Sequence, residues 1–266
     1  MSARVTALIG AYNNATTLER AAGSILEQTV AELELLIIDD GSIDRTGEIA
    51  ARVAAQDGRV RVLTMPSNVG ISRSLNSGLE AASAPYVAVL DADDWSDPRR
   101  LERQLEVLES DSSIAVVGCR MREVDESGRE LVPRTSLASG EVNRVLMRFN
   151  PIPNTAAAFR RDPVMAVGGY DPRYLWAAEY DLWLRLAEHH RIFALDEVLA
   201  TRQMSSSNVA ARREREQIAE TIVMRGRAMI RQRSVQGITG LAAPALSYAT
   251  PLPLKRARRR RLSQAP

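Results

Sequence analysis

The chain has 266 residues, of which 45% are hydrophobic and 26% are charged, the proportions of an ordinary soluble globular protein. The net charge of +2 conceals six basic and no acidic residues in 255–266, which leaves 29 basic against 33 acidic residues in the rest. This mildly acidic body excludes the basic surface of a nucleic-acid-binding domain, and the single cysteine, Cys119, excludes an internal disulfide and a cysteine-rich zinc site.

Apolar runs typical of strands alternate with helical patterns over the first half of the chain. Strands are predicted at 5–9, 33–38, 60–63, 86–90 and 114–118, and helices at about 15–29, 44–56, 70–82 and 98–109. This alternation predicts an α/β fold with a mostly parallel, doubly wound sheet flanked by helices. The first strand begins without a preceding secretory signal, and with one cysteine this predicts a cytoplasmic protein in a reducing compartment.

Residues suited to a nucleoside follow the first two strands. Ala11 is small enough to let a flat ring approach the backbone, and Tyr12 could stack on that ring. The second strand ends in an acidic cluster that begins at Asp39, whose carboxylate could accept hydrogen bonds from a base N–H group or from ribose hydroxyls. Asp44 is a good N-cap for the following helix, and Gly41 is a turn residue.

The third strand is followed by a helix start that contains Gly70, Ser72 and Arg73. Backbone N–H groups at a helix start, with a guanidinium beside them, could hold an anionic phosphate. The alternative is a capped helix with an exposed arginine.

The fourth strand runs straight into Asp91-Ala92-Asp93-Asp94. Asp91 and Asp93, two residues apart, could converge on one divalent cation and leave coordination sites open for phosphate oxygens. The alternative is an Asx-rich turn before the next helix. Because open α/β sheets bind ligands at the carboxyl ends of their strands, the polar groups after strands one, two and four together favour one metal-bridged nucleotide site.

With these motifs the sequence resembles glycosyltransferase family 2, inverting enzymes with the nucleotide-diphospho-sugar transferase (GT-A) fold. The matching blocks are residues 5–13, 37–44, 68–76, 90–95, 168–171 and 178–186, within about 5–208. The resemblance implies Mn²⁺ or Mg²⁺ at Asp91 and Asp93. It also implies a nucleotide-sugar site formed by Ala11, Tyr12, Asn13, Asp39, Asp40, Asn68, Gly70, Arg73, Asp91, Ala92 and Asp93.

The resemblance further implies a catalytic base just before the segment Tyr180-Asp181-Leu182-Trp183. The family usually has Asp at this position, and this chain has Glu179, which keeps the carboxylate and adds one methylene; Asp181 is the second candidate. Met204 stands where many relatives have a metal-binding His, and a thioether is a poor ligand for Mn²⁺ or Mg²⁺. Asn154 and Trp176 are predicted on the acceptor side, where Trp176 either stacks on a sugar ring or is a buried aromatic.

We expect a GT-A domain at 1–208, with a nucleotide-sugar-binding half at 1–118 and an acceptor-side half at 119–208 that includes a hairpin at 121–132. A helical extension follows at 209–266, with an uncharged stretch at 235–254 and the basic residues 255–261. The basic residues either draw the protein peripherally to the cytoplasmic face of the inner membrane or form a solvated tail.

The implied activity is transfer of one sugar from a UDP-, GDP- or dTDP-sugar to a saccharide or lipid-linked acceptor, in cell-surface polysaccharide or glycolipid biosynthesis. A single transfer is expected because the Gln-x-x-Arg-Trp motif of polymer-forming relatives is absent. The alternative is a catalytically weak relative that acts as a nucleotide-binding, membrane-associated interaction subunit. A nucleotidyltransferase is disfavoured because no glycine- and lysine-rich loop follows the first strand.

Overall fold

The computed structural model describes residues 2–131, 138–204 and 214–232. Its strands are β1 (Val5–Ala11), β2 (Leu33–Asp39), β3 (Val60–Thr64), β4 (Tyr86–Asp91), β5 (Trp95–Ser96), β6 (Ile114–Val124), β7 (Gly140–Glu141), β8 (Ala157–Arg160) and β9 (Arg191–Gln203). Its helices are α1 (Leu18–Leu26), α2 (Thr46–Gln56), α3 (Ile71–Ala81), α4 (Arg100–Ser110), α5 (Asn143–Leu146), a 3₁₀ turn (Asn154–Ala156), α6 (Arg161–Ala166), α7 (Ala178–Leu186) and α8 (Glu214–Gln232). No helix in these described ranges has the length and apolar character needed to cross a membrane.

The described strands form one mixed sheet in the order β3-β2-β1-β4-β8-β6-β9-β5, with β7 beside β9. Strands β3, β2, β1 and β4 are parallel, β8 is antiparallel to both of its neighbours, and β6 and β9 are parallel. The predicted mostly parallel α/β sheet is therefore confirmed. Because β8 lies between β4 and β6, the two predicted halves of the GT-A domain share this sheet.

The central strands are apolar on both faces because helices cover both faces of the sheet. In β1, Ile9 packs in one core cluster with Leu18 of α1 and Leu101 of α4, whereas Leu8 packs in the other with Leu75 of α3. Helix α7 contributes Trp183, which is fully buried in the second cluster. This double coverage fixes the register, since a slip of one residue would exchange the two faces.

Strand β6 is six residues longer than its sequence prediction. Its second half continues because Cys119 and Met121 are buried while Arg120 and Arg122 point toward solvent, an alternation typical of a strand. The predicted hairpin begins as expected, with a turn after Val124 that pairs this residue with Glu130. Its predicted end, residue 132, lies outside the described residues.

The register of the parallel strands brings the predicted nucleotide-binding segments side by side. Ala11 lies opposite Asp39 across β1 and β2, and Gly10 lies opposite Asp91 across β1 and β4. The carboxyl ends of three adjacent strands therefore form one edge of the sheet, which is where α/β sheets bind ligands.

The charged helix predicted from about residue 209 is observed as α8, which packs against α7. The uncharged stretch at 235–254 and the basic residues at 255–261 lie outside the described residues.

Candidate active site

Three carboxylates converge directly after β4. Each of Asp91, Asp93 and Asp94 has a carboxylate oxygen within 4.8 Å of those of the other two. The Asp94 N–H donates to the Asp91 carbonyl at 3.1 Å, and the Asp91 N–H donates to Thr155 Oγ1 at 3.0 Å, so a tight turn holds the group together. The structure thus brings the predicted pair Asp91 and Asp93 together and adds Asp94, which the sequence analysis did not assign although it directly follows Asp93.

Asp94 is buried, Asp91 and Asp93 are half-buried, and their negative charges repel one another. Loss of solvent, with the charge of Asp93, raises the pKa of Asp91 to about 6. Burial and the charge of Asp91 raise the pKa of Asp94 well above its usual value. The Oδ2 atom of Asp94 is buried and accepts no hydrogen bond from the described residues. A divalent cation would relieve this repulsion, and clustered carboxylate oxygens are the ligands that Mn²⁺ and Mg²⁺ prefer.

Two arginines partly balance these negative charges. The Nε atom of Arg202, at the end of β9, lies 3.8 Å from Asp94 Oδ2, and its charge lowers the pKa of Asp91, Asp94 and Glu179. Arg100 is fully buried beneath the cluster, where its Nη1 donates to the carbonyls of Val89 at 3.1 Å and Thr155 at 2.5 Å. The sequence analysis missed both, because the burial of an arginine depends on contacts distant in sequence.

Glu179 lies in the first turn of α7 and accepts a hydrogen bond at Oε1 from Asn150 Nδ2 at 3.0 Å. Loss of solvent around its carboxyl group, with the charges of Asp91 and Glu220, raises its pKa to about 7. A carboxyl group with this pKa is suited to general-base chemistry near neutral pH.

Tyr170 and Asn154 lie in the same electrostatic environment as Glu179. Burial raises the pKa of the Tyr170 hydroxyl, and the charges of Glu179 and Asp91 raise it further. This hydroxyl donates to Asn154 Oδ1 at 2.7 Å. Asn154, predicted on the acceptor side, is thus linked through Tyr170 to the environment of Glu179, and Tyr170 is a neighbour that could not be singled out from the sequence.

Asp181, the second candidate for the base, has a structural partner. Its Oδ2 accepts from Arg185 Nε at 2.7 Å, and only 3% of the residue is exposed. Arg185 also donates to the carbonyls of Val167 and Gly169 at 2.6 and 2.7 Å. The Asp181 carboxylate therefore orients Arg185, which ties α7 to the loop after α6. The pKa of Glu179, by contrast, is raised by the charge of Asp91 in the acidic cluster.

Asp39 and Asp40, at the end of β2, have different surroundings. Asp39 is 4% exposed and accepts the Ser42 N–H at Oδ1 at 3.0 Å. Both oxygens of Asp40 are used within the protein, since they accept the N–H groups of Val69 at 2.9 Å and Gly70 at 3.0 Å. Asp40 therefore fastens the loop before α3 to the end of β2, and the Gly70 N–H is already paired.

The loop after β1 is organised by Asn13, whose φ of 56° is in the left-handed region. Its N–H donates to Ser42 Oγ at 3.0 Å, and its Oδ1 accepts the Ile43 N–H at 3.0 Å. Asn13 thus joins this loop to the one after β2 and leaves the Tyr12 side chain 44% exposed at the predicted nucleoside position.

Gly41 shows why the loop after β2 needs a glycine. Its φ is +70°, and a Cβ atom there would lie 2.5 Å from the carbonyl carbon of Ser67. The loops after β2 and β3 therefore meet too closely for any side chain at this position.

The other residues predicted for the nucleotide-sugar and acceptor sites differ in their exposure to solvent. Ala92 is buried, Asn68 and Arg73 are exposed, and Trp176 is half-buried. The Ser72 hydroxyl donates to the Tyr174 carbonyl at 3.3 Å. Arg73 is thus the side chain of the predicted phosphate-binding helix start that extends into solvent.

The sequence and the fold both match known glycosyltransferases. The model of the family described as "Glycosyl transferase family 2" matches residues 6–168. The amylovoran biosynthesis glycosyltransferase AmsE of Erwinia amylovora is 30% identical over 209 residues, which are 77% of this chain and 78% of that protein. A further relative from Bacillus subtilis is longer, and the chain spans 57% of it.

Two solved structures share the fold at low sequence identity. S. aureus TarS 1–349 superposes with a TM-score of 0.70 and 17% identity, covering 94% of this chain and 73% of that one. The mannosyltransferase PcManGT of Pyrobaculum calidifontis was solved with GDP-Man and Mn²⁺. It superposes with a TM-score of 0.68 and 20% identity, covering 99% of this chain and 80% of that one. At these identities the likeness establishes the GT-A architecture alone.

Proposed function

The chain belongs to glycosyltransferase family 2, and from this premise we propose that it transfers a single sugar, with inversion, from a nucleotide-diphospho-sugar to a hydroxyl acceptor. The observation that carries the proposal is the pairing of a desolvated acidic cluster at the end of β4 with Glu179, whose pKa is about 7. The acidic cluster could hold a cation that neutralises a charged leaving group, and Glu179 could remove the proton of the acceptor.

The donor is held at the edge formed by the ends of β1, β2 and β4. Tyr12 is exposed for stacking on the base, Asp39 offers its second carboxylate oxygen to the nucleoside, and Arg73 extends toward the diphosphate. The relatives support this donor class, since TarS was solved with UDP-GlcNAc and PcManGT with GDP-Man. A UDP-, GDP- or dTDP-sugar is therefore the proposed substrate.

Asp91 and Asp93 would hold a divalent cation, Mn²⁺ or Mg²⁺, with Asp94 beside them. When bound, the ion offsets negative charge on the departing nucleoside diphosphate as a Lewis acid. Met204 stands where many relatives have a metal-binding His; its N–H donates to the Val124 carbonyl at 2.7 Å. Arg202, two residues before Met204, carries a positive charge at the end of β9 and lies 3.8 Å from Asp94.

Glu179 is the proposed general base. Asn150 occupies Oε1, so Oε2 is the oxygen that takes the proton of the acceptor hydroxyl. The acceptor oxygen then forms a bond to the anomeric carbon as the bond from that carbon to the diphosphate breaks. Attack from the face opposite the leaving group inverts the anomeric configuration. Asn154, Tyr170 and Trp176 would border the acceptor.

The proposed pathway is cell-surface polysaccharide or glycolipid assembly, since the relative AmsE is named for amylovoran biosynthesis. A lipid-linked acceptor would suit the basic residues at 255–261, because anionic lipid attracts such clusters at about 1 kcal/mol per residue. A cytoplasmic location, with peripheral attachment to the inner membrane, belongs to the same proposal.

A second candidate function is that of a nucleotide-binding interaction subunit with little catalytic activity. It is favoured by Met204 and by Glu179, the two departures from the family pattern. Such a protein would bind the donor without consuming it.

The test is release of nucleoside diphosphate from a panel of UDP-, GDP- and dTDP-sugars, with Mn²⁺, Mg²⁺ or a chelator, in the presence and absence of a lipid extract. We expect metal-dependent release with one donor class and loss of release in Asp93→Ala. The anomeric configuration of the product, read by NMR, tests inversion. Donor binding without release in every combination would support the interaction subunit. Release of pyrophosphate from a nucleoside triphosphate and a sugar 1-phosphate, assayed separately, would indicate a nucleotidyltransferase.

A further inference from the structure

Helix α8 places one carboxylate against three consecutive backbone N–H groups. Glu220 Oε1 accepts from Leu175 at 2.8 Å, and Glu220 Oε2 accepts from Trp176 at 2.9 Å and Ala177 at 3.1 Å. Hydrogen bonds to an ionised acceptor are about twice as strong as those between neutral groups. Glu220 therefore fixes the backbone of residues 175–177, which we name the base loop.

The base loop leads directly into the helix that carries Glu179. Ala177 is the residue that precedes the first turn of α7, and Glu179 lies two residues further on. The first N–H groups of a helix have no partner within the helix, and a carboxylate near a helix N-terminus is favoured by the helix dipole. Glu220 places a carboxylate beside this N-terminus and pairs the N–H of Ala177, the residue directly before the helix, from 43 residues away in sequence.

Other contacts hold the base loop between α3 and α8. Gln217 Nε2 donates to the Trp176 carbonyl at 3.3 Å, and Ser72 Oγ of α3 donates to the Tyr174 carbonyl at 3.3 Å. The loop is thus bonded from both sides, and α3 is the helix that begins at the proposed diphosphate position.

Helix α8 is firmly seated on α7. The Nε atom of Arg225 donates to the Tyr180 hydroxyl at 2.8 Å, and its guanidinium carbon lies 5.3 Å from the centre of that ring. Met224 and Ala228 are fully buried in the core cluster that includes α7. Movement of α8 would therefore be transmitted to the start of α7.

We propose that Glu220 is a positioning residue for the transfer reaction, which fixes the base loop and so holds Glu179 in place for proton removal. This inference rests on the proposed function of Glu179 as the base. It couples α8, which lies within the helical extension expected at 209–266, to the start of α7. A small displacement of a catalytic group can slow a reaction by roughly 100-fold.

Glu220→Gln is the sharpest variant because it preserves shape and removes the charge. Its amide oxygen can still accept, but its NH₂ group would face a backbone N–H donor. The matched control is Glu188→Gln, which removes the contact of Glu188 with Arg231 at 2.6 Å, also between the α7 region and α8 but at the opposite end of α7. Glu220→Asp serves as a second variant if Glu220→Gln does not fold.

The experiment measures kcat and KM for the donor, donor affinity by calorimetry, and amide hydrogen exchange of residues 174–180. Glu220→Gln should lower kcat by about tenfold or more, leave donor KM and affinity within about twofold, and speed exchange of the base loop. Glu188→Gln should leave kcat and exchange of the base loop unchanged. Equal kcat losses in the two variants, or unaltered exchange in Glu220→Gln, would overturn the inference.

The same experiment separates this inference from the proposed function. If the wild-type protein turns over a donor and Glu220→Gln keeps full kcat, the positioning role fails and the transferase function stands. If the wild-type protein turns over no donor, the proposed function fails, and the hydrogen exchange alone decides whether Glu220 holds the base loop.

Discussion

Glu179 Oε1 and Asn150 Nδ2 are 3.0 Å apart, so an amide from the loop before the 3₁₀ turn orients the carboxylate at the start of α7. In the proposed mechanism this bond leaves Oε2 of Glu179 for the acceptor proton. Asn150→Ala should therefore lower kcat by about tenfold, because the carboxylate loses its orientation, while donor KM stays close to wild type. Steady-state kinetics with a saturating acceptor measure both values, and an unchanged kcat would exclude an orienting role.

The pH dependence of the reaction should follow the ionisation of Glu179. Loss of solvent raises its pKa to about 7, and the base must be deprotonated to accept a proton. We expect kcat/KM to fall about tenfold per pH unit below about pH 7 and to level off above it. A profile that is flat between pH 5.5 and 8 would show that this carboxyl group does not limit the reaction.

Mn²⁺ should stabilise the protein more at pH 7.5 than at pH 5. The pKa of Asp91 is raised from 3.8 to about 6 in the folded state. Between these two values the folded protein binds a proton that the unfolded chain has lost. The free energy of unfolding therefore falls as the pH rises from 3.8 to about 6. A cation that binds only the folded, deprotonated cluster removes this penalty and raises the melting temperature.

Thermal unfolding with Mn²⁺ or a chelator measures this effect without any substrate. Each 1 kcal/mol that the cation adds to the free energy of unfolding should raise the melting temperature by about 2–4 °C in a chain of this size. Asp91→Asn and Asp93→Asn should reduce the shift. An equal shift in Asp91→Asn and wild type would place the ion elsewhere.

Arg100 should contribute far more to stability than its neighbour Arg99. Arg100→Met leaves the carbonyls of Val89 and Thr155 without their buried donor, which should cost about 2–4 kcal/mol. Arg99→Met is the matched control, since the Arg99 side chain makes an exposed contact with Glu102 at 3.4 Å. Urea unfolding compares the two, and equal effects would mean that Arg100 is not needed beneath the cluster.

The first half of the fold could be predicted because its signals are local. The runs that became β1, β2 and β4 are buried on both faces, and the helix predicted at 98–109 buries Leu101, Leu105 and Leu108 on one face. Strand β9 was not predicted. Its pattern mixes buried and exposed residues, and it is defined by pairing with β6, which lies some 80 residues earlier in the chain.

The contrast between local signals and distant pairing also applies to the candidate site. Asp91 and Asp93 stand at the end of a clear strand, so their convergence could be anticipated from the sequence. The positions of Arg100, Arg202 and Glu220 could not, because each acts through a partner distant in sequence, and isolated charged residues are usually solvated.

The proposed mechanism requires that Glu179, and not Asp181, removes the acceptor proton. Transfer rates of Glu179→Gln and Asp181→Asn are compared with wild type, with donor affinity and melting temperature determined alongside. Glu179→Gln should bind the donor normally and lose transfer by about 100-fold or more. Asp181→Asn, which weakens the contact with Arg185, should lower stability and retain most of its transfer rate. Loss of transfer in a folded Asp181→Asn, with transfer retained in Glu179→Gln, would identify Asp181 as the base instead.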